Sequence, residues 1–377
     1  MNINKVKYDL VVDSPGRINI IGEHTDYNNG FVLPTAIDKK IRFSFKKNGT
    51  KTNCSAYSKN FDSSFSFNLE NVKPSSQQWE NYILGVIFEI QQLSNKLEGF
   101  DCFLDSNIPV GSGISSSAAL ECGLVFGLNE LFNLGFSKLT LVEIGQRAEH
   151  NYVGTKCGIM DQFASVMSKK GHVILLDCGS LDFEYVPIEI DPYIIVLLNT
   201  NVSHNLASGE YNIRRNQCEQ GVEVIKSKYP EVNSLRDVSL EMLKEFQNDL
   251  SKIIYNRCLY VVKEKIRVLN TVKALKNNEL KIMGENMYDT HNGLQHLYEV
   301  SCTELDFLVD FSKKYDEVIG SRMMGGGFGG CTVNIVHKDF VAKFIEEASR
   351  EYHKKFNIKL TAFEANPSGG TSIVKQY

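Results

Sequence analysis

Apolar residues change their spacing along the chain, and the changes divide it. In the first half, short apolar or alternating runs predict strands at Tyr8 to Asp13, Ile41 to Phe45 and Val173 to Asp177. Two helices are predicted between the last two of these. The first runs from about Ser117 through Leu131; the second opens with a capping box, Thr140-Leu141-Val142-Glu143. Leu141, Ile144, Gly145, Ala148 and Tyr152 share one face of that second helix and place Glu149 beside an apolar stripe. After a strand at Ile194 to Leu198, helical periodicity dominates near 210–228, 239–248, 252–276, 278–290 and 303–315. The last quarter returns to strand, helix and strand at Thr332 to Val336, Asp339 to Phe356 and Lys359 to Phe363. Pro187, Asp191 and Pro192 interrupt the pattern and predict a change of domain near 180–193. Neither an internal repeat nor a low-complexity tract is visible.

Length and charge narrow the reading further. A chain of 377 residues exceeds one ordinary core and predicts two domains, with three left open. Its 41 Lys and Arg against 45 Asp and Glu leave a net charge of -4, which excludes a global basic field for nucleic-acid or anionic-membrane binding. The N-terminus has no long apolar segment, and runs such as Ile194 to Leu198 are far too short to span a bilayer. A soluble, cytoplasmic protein is expected. Nine cysteines without a CxxC pair give neither a zinc framework nor a disulfide scaffold, and Cys178 and Cys331 read as small core residues.

Four segments carry chemistry. Pro15 to Tyr27 ends an apolar run in Arg17, Asn19, Glu23, His24 and Asp26, an inventory of forks, amides and carboxylates suited to a polyhydroxylated ligand. Pro109 to Leu120 runs a Gly/Ser loop into a helix, so turn amides and the first helical N–H groups converge as an anion site. A Walker Lys, a GxGxxG fingerprint and the HRD and DFG kinase sets are all missing from the sequence. Gly158 to Phe163 sets Asp161 among apolar residues, where burial demands a compensating cation, with Arg17 the candidate. Ser321 to Cys331 holds five glycines in six positions before a strand, which predicts positive φ angles and close backbone approach near the phosphate loop. Each segment alone also has a plainer reading: a solvated turn, a ligand-free helix start, a capping Asp or a bulge.

In this order the four segments resemble the galactokinases of the GHMP small-molecule kinase family. The family's three signatures correspond to Pro15 to Tyr27, Pro109 to Ala119 and Gly325 to Gly330, and the likeness takes in Ser208 to Arg215 and the pair Trp79 and Tyr82. The resemblance implies an α+β, two-domain fold. An N-terminal, ribosomal-protein-S5-like mixed α/β domain (1–182) and a C-terminal ferredoxin-like domain with extra helices (183–377) would hold the active site between them. It implies that Arg17, Glu23, His24, Asp26, Gly158, Asp161 and Tyr211 surround a sugar, with Asp161 and Arg17 catalytic at its C1 hydroxyl. Trp79 would lie near the adenine of ATP, the backbone amides of Gly111, Ser112, Gly113, Ile114, Ser115, Ser116 and Ser117 would cradle its phosphates, and Ser117 and Glu149 would hold Mg2+. The implied reaction is ATP-dependent phosphorylation of galactose at C1, with galactose and ATP as partners and a monomer as the favoured assembly. An N-acetylgalactosamine kinase or other sugar 1-kinase is the alternative. A non-catalytic galactose and ATP sensor is disfavoured by the intact Ser115 to Ala119, Arg17, Glu149 and Asp161. Thr290 to Tyr298 and Ser112 depart from the family pattern without removing a catalytic group.

Overall fold

The computed structural model describes residues 7–109, 111–203 and 207–377. The first half contributes β1 (Leu10–Asn19), β2 (Phe31–Val32), β3 (Pro34–Lys47), β4 (Asn53–Ser58), β5 (Ser63–Asn68), α1 (Gln78–Gln91), β6 (Phe100–Ser106), α2 (Ser116–Phe132), α3 (Lys138–Ala148), α4 (Met160–Met167), β7 (His172–Asp177) and β8 (Phe183–Pro187). The second contributes β9 (Tyr193–Ser203), α5 (Ala207–Lys226), α6 (Leu240–Glu245), α7 (Lys252–Lys276), α8 (Leu280–Gly293), α9 (Thr303–Ser312), β10 (Val318–Met323), β11 (Gly329–His337), α10 (Val341–Phe356), β12 (Thr361–Glu364) and β13 (Ser372–Gln376).

Sheet order is β13-β1-β3-β6-β4-β5 in the largest sheet, β10-β11-β9-β12 in the second and β2-β7-β8 in a small third. The predicted strand at Tyr8 to Asp13 is longer than its apolar run: β1 continues to Asn19, and its register with β3 shifts between Pro15 and Arg17. Pro15 lacks an N–H for the ladder, so a bulge forms there and re-aims the following side chain. Gly16 makes the contact beyond it possible, since a Cβ at Gly16 would lie 2.6 Å from the Ile114 carbonyl oxygen.

The second sheet shows how period-two alternation sorts its helices. Val196, Leu198 and Val336 pack with α9 and α10, while Ile195, Leu197, Val333 and Ile335 face the core that includes Met283 and Met287 of α8. That latter core is continuous with Ile18, Ile20 and Ile21 of the first half and Val268 and Val272 of α7. A single cut at 182/183 separates β7 from β8 and β13 from β1, strands that share sheets.

Two helix features differ from expectation. The second helix is capped by Ser137, whose hydroxyl oxygen accepts the Thr140 N–H at 3.1 Å, so it starts before the proposed Thr140 box. Glu149 leaves the regular helix for a π turn, Glu149–Val153, which rotates its carboxylate inward. The sequence reading also left α1 unassigned, although Trp79, Ile83, Ile87 and Ile90 follow helical spacing. No helix of the described residues is long and apolar enough to cross a membrane. All nine cysteines are free thiols, and all but Cys157 and Cys302 are buried, Cys178 and Cys331 among them.

Gly284 lets α8 lie against β10: a Cβ there would sit 1.8 Å from the Ile319 carbonyl oxygen. Helix propensity favours Ala by about 1 kcal/mol, but a backbone clash in a packed interface costs about 1–3 kcal/mol and decides the sign. Gly284→Ala therefore lowers the urea midpoint, and an unchanged or raised midpoint would contradict this packing.

Candidate functional site

The bulge in β1 turns Arg17 into the interior. Its Nε and Nη2 donate to Asp161 Oδ1 and Oδ2 at 2.6 and 2.8 Å, and Nη1 donates to the Gly113 carbonyl at 2.8 Å. One guanidinium thus ties the first strand to the phosphate loop and to the first turn of α4, where the helix dipole also favours a carboxylate. Burial works against the Arg17 charge, but Asp161, with Glu23 and Asp26 nearby, outweighs it and holds the guanidinium above its ordinary pKa.

Arg17, Glu23, His24, Asp26, Asp161 and Tyr211 line one cavity of about 130 Å3. That is well below the roughly 300–1,000 Å3 of drug-sized sites, so the ligand is small. Gly158 stands behind it, because a Cβ there would meet Asp26 Oδ2 at 2.2 Å. Glu23 lines the cavity with its oxygens engaged: Oε1 accepts the Gly325 N–H at 2.8 Å, and Oε2 accepts from Arg322 at 3.0 Å and from Asn19. His24 adopts φ 61, a strained value for a non-glycine residue, and shares a 2.8 Å hydrogen bond between Nδ1 and the Tyr27 hydroxyl. Burial pushes its pKa down to about 3, leaving a neutral ring whose Nε2 has no partner among the described residues. Burial, then the Asp161 charge, pushes Asp26 up to about 7. The Tyr211 ring packs 5.4 Å from His24 and 5.0 Å from Tyr27.

A second cavity of about 150 Å3 opens beside the loop, lined by Trp79, Tyr82, Phe61, Ser116, Ser117 and Leu120. Gly111 and Gly113 take φ of 72 and 71, the left-handed values a tight loop needs. Ile114 is buried, and its carbonyl accepts the Arg17 N–H at 3.0 Å. The buried Ser112 hydroxyl donates to the Pro109 carbonyl at 2.7 Å and braces the loop. Ser115 caps α2 in a left-handed conformation, and its hydroxyl donates to Asp161 rather than accepting from the helix amides.

Ser117 stands between the two cavities: it lines the second, and its hydroxyl acts to lower the pKa of Glu149, which lines the first. Burial, then Asp161, pushes Glu149 up to about 7, and Gln162 Nε2 donates to Glu149 at 2.9 Å and to Glu121 at 3.1 Å. The described residues contain no group of three or more His, Cys, Asp or Glu poised around a cation. One carboxylate and one hydroxyl beside a phosphate loop instead fit Mg2+, which binds through few protein ligands plus substrate phosphates.

Residues 3–47 match the family model for the galactokinase galactose-binding signature, 81–169 that for the GHMP kinases N terminal domain, and 271–354 that for the GHMP kinases C terminal. The galactokinase of Thermosipho africanus (strain TCF52B) is 44% identical over 371 residues, covering 97% of this chain and 100% of that one. The chain belongs to the galactokinases. A second galactokinase, from Clostridium acetobutylicum, is 40% identical over 381 residues, covering 99% of this chain and 97% of its own. The solved structure of Lactococcus lactis galactokinase complexed with galactose superposes with a TM-score of 0.93 at 33% identity, covering 96% of this chain and 94% of that one. The Methanococcus jannaschii mevalonate kinase, TM-score 0.65 at 16% identity, shares the fold alone.

The scaffold behind the first cavity has no counterpart among the residues expected from the sequence. Arg322, 0% exposed, donates to the Ile20 carbonyl at 2.8 Å, the Met323 carbonyl at 2.6 Å, the Asn19 carbonyl, and Glu23 at 3.0 Å. Glu264 accepts the Gly22 N–H at 2.9 Å from the far side. An Arg inside a buried strand just before a glycine run was the available signal for the first; Glu264, one acid in a long amphipathic helix, gave none. The glycine run itself behaves as expected: Gly325 and Gly330 have φ of 83 and 81, and their Cβ positions would lie 3.2 Å from Gly113 and 3.5 Å from Ser112. Thr155, Cys157, Met160 and Gly326 also line the sugar cavity, without having been foreseen.

Removing one partner of a buried pair leaves the other uncompensated, so Arg322→Met should cost about 3–5 kcal/mol in urea unfolding; a loss below about 1 kcal/mol would show that Arg322 is dispensable. Asp26 sets a pH dependence of unusual sign. Its ordinary pKa of 3.8 rises to about 7 in the fold, so across that window the folded chain keeps a proton the unfolded chain has released. Its contribution to stability falls as pH rises from about 4 to about 7 and then levels. Urea midpoints measured across this range should fall less steeply in Asp26→Asn than in the parent; identical slopes would remove Asp26 as the cause.

Proposed function

We propose that the chain transfers the γ-phosphoryl group of ATP to the C1 hydroxyl of galactose, giving galactose 1-phosphate and ADP by direct in-line displacement. The observation that carries this reading is the bidentate Arg17 and Asp161 pair, which lies in the wall of the small polar cavity and touches the phosphate loop through Gly113. Asp161 takes the hydroxyl's hydrogen bond and proton as the C1 oxygen bonds to phosphorus, and the bond from phosphorus to the bridging oxygen breaks with its electrons on ADP. Arg17 offsets charge on the transferring group, which moves between a pocket of fixed donors and a helix N-terminus. Glu23, His24, Asp26, Gly158 and Tyr211 shape the sugar side, and Trp79 flanks the adenine. Amides from Gly111 to Ser117 hold the phosphates. Ser117 and Glu149 would hold Mg2+, which neutralises phosphate charge when bound. The division at 182/183, the monomeric state and the cytoplasmic location belong to the same proposal, and light scattering on the purified chain tests the monomer.

Incubation with ATP, Mg2+ and galactose, with N-acetylgalactosamine and glucose in parallel and products identified by NMR, tests the reaction. Galactose 1-phosphate is expected as the dominant product. Preference for the acetamido sugar would reassign the substrate, and binding of both ligands without product would sink the proposal. Asp161→Ala should lower kcat by at least about 100-fold. Trp79, the chain's one tryptophan, should still report ATP binding by its fluorescence; near-normal turnover would remove Asp161 from the chemistry.

A further inference from the structure

We propose that Ser115 is a positioning residue for Asp161: its hydroxyl fills Asp161 Oδ2, so that Oδ1 is the acceptor left for the incoming sugar hydroxyl. This rests on the reading of Asp161 as the group facing C1. It adds a task for the Ser115 hydroxyl to the one that the family likeness implies for the Ser115 amide, which is phosphate binding.

Three observations carry it. First, a serine at a helix N-cap is ordinarily extended and accepts an amide hydrogen bond from the first turn. Ser115 instead takes φ 58 and ψ 56, a conformation costly for a residue with a Cβ, while its carbonyl still accepts the Ala119 N–H at 3.1 Å and starts the helix. The left-handed turn sends the hydroxyl to Asp161 and leaves the first amides of α2 to an anion.

Second, the acceptor count is uneven. A carboxylate offers about two lone-pair sites on each oxygen. Oδ2 receives Arg17 Nη2 at 2.8 Å and Ser115 Oγ; Oδ1 receives Arg17 Nε at 2.6 Å. Among the described residues, then, Oδ2 is filled and Oδ1 keeps one open site. Third, Asp161 lines the sugar cavity with 26% of its side chain exposed, so the open site is reachable. Without Ser115 both oxygens could accept, and the sugar hydroxyl would have two poses rather than one aligned with phosphorus.

The test compares Ser115→Gly, which suits the left-handed backbone, with Ser115→Ala, which keeps the Cβ and loses the hydroxyl. Both should lose roughly 10–100-fold in kcat, the range for one hydrogen bond to a charged group. The KM for galactose and the ATP affinity read from Trp79 fluorescence should stay within about twofold of the parent, because the bond matters in the transition state. The melting temperature of Ser115→Gly should equal or exceed the parent's as strain is relieved. A kcat within about twofold of the parent would overturn the proposal, as would a loss confined to ATP affinity, which would assign the Ser115 hydroxyl to the phosphates. A parent that forms galactose 1-phosphate beside a fully active Ser115→Gly defeats this inference alone. A parent that forms no sugar phosphate defeats the proposed reaction and this inference together.

Discussion

The buried ion pair between Arg17 and Asp161 is the constraint around which the site is built. A guanidinium with 4% of its side chain exposed needs partners, and each of its three nitrogens finds one, on α4 or on the phosphate loop. Satisfying one side chain therefore fixes three separate segments relative to each other. The bulge at Pro15 and the absent Cβ at Gly16 are the local means by which β1 delivers that arginine.

Around this pair the site holds more negative than positive charge. Glu23, Asp26, Glu149 and Asp161 line one small cavity, whose wall contributes Arg17, with Arg322 behind it. The upward shifts of Asp26 and Glu149 come from burial and from the neighbouring Asp161 charge. Acids poised this way are good acceptors for sugar hydroxyls, and the excess negative charge near Ser117 and Glu149 suits a small cation. The same charge excess distinguishes the two cavities by chemistry: carboxylates line the first, and the second lies beside a loop and helix N-terminus whose free amides suit an anion.

Backbone strain also occurs in this region. His24, Ser115 and Phe328 carry positive φ without being glycine, and each lies in one of the three signature segments. Packing around them is what holds such conformations in place. Arg322, Glu264 and the contacts of Gly325 and Gly330 with the loop supply that packing from the second half of the chain.

Much of this was legible in the sequence. Apolar periodicity located α2, α7 and β9 closely, because long or strongly apolar elements announce themselves locally. The polar density after β1, the Gly/Ser loop, an acid in apolar surroundings and the glycine run identified the four segments that meet, and their likeness to a known family said what the meeting was for. Tertiary structure decided the rest. The exposed strand β13 has only the adjacent Ile373 and Val374 and no apolar alternation, yet it pairs with β1 from the far end of the chain. Ser112 and Ser115 belong to the same loop, but one braces it and the other reaches Asp161, since backbone φ and not residue type sets where each hydroxyl points. Arg322 and Glu264 are single charges within ordinary elements, and their roles exist only once distant segments bring carbonyls, amides and Glu23 within hydrogen-bonding reach. Residue identity sets which interactions a chain can make; which of them form depends on long-range packing that no local window contains.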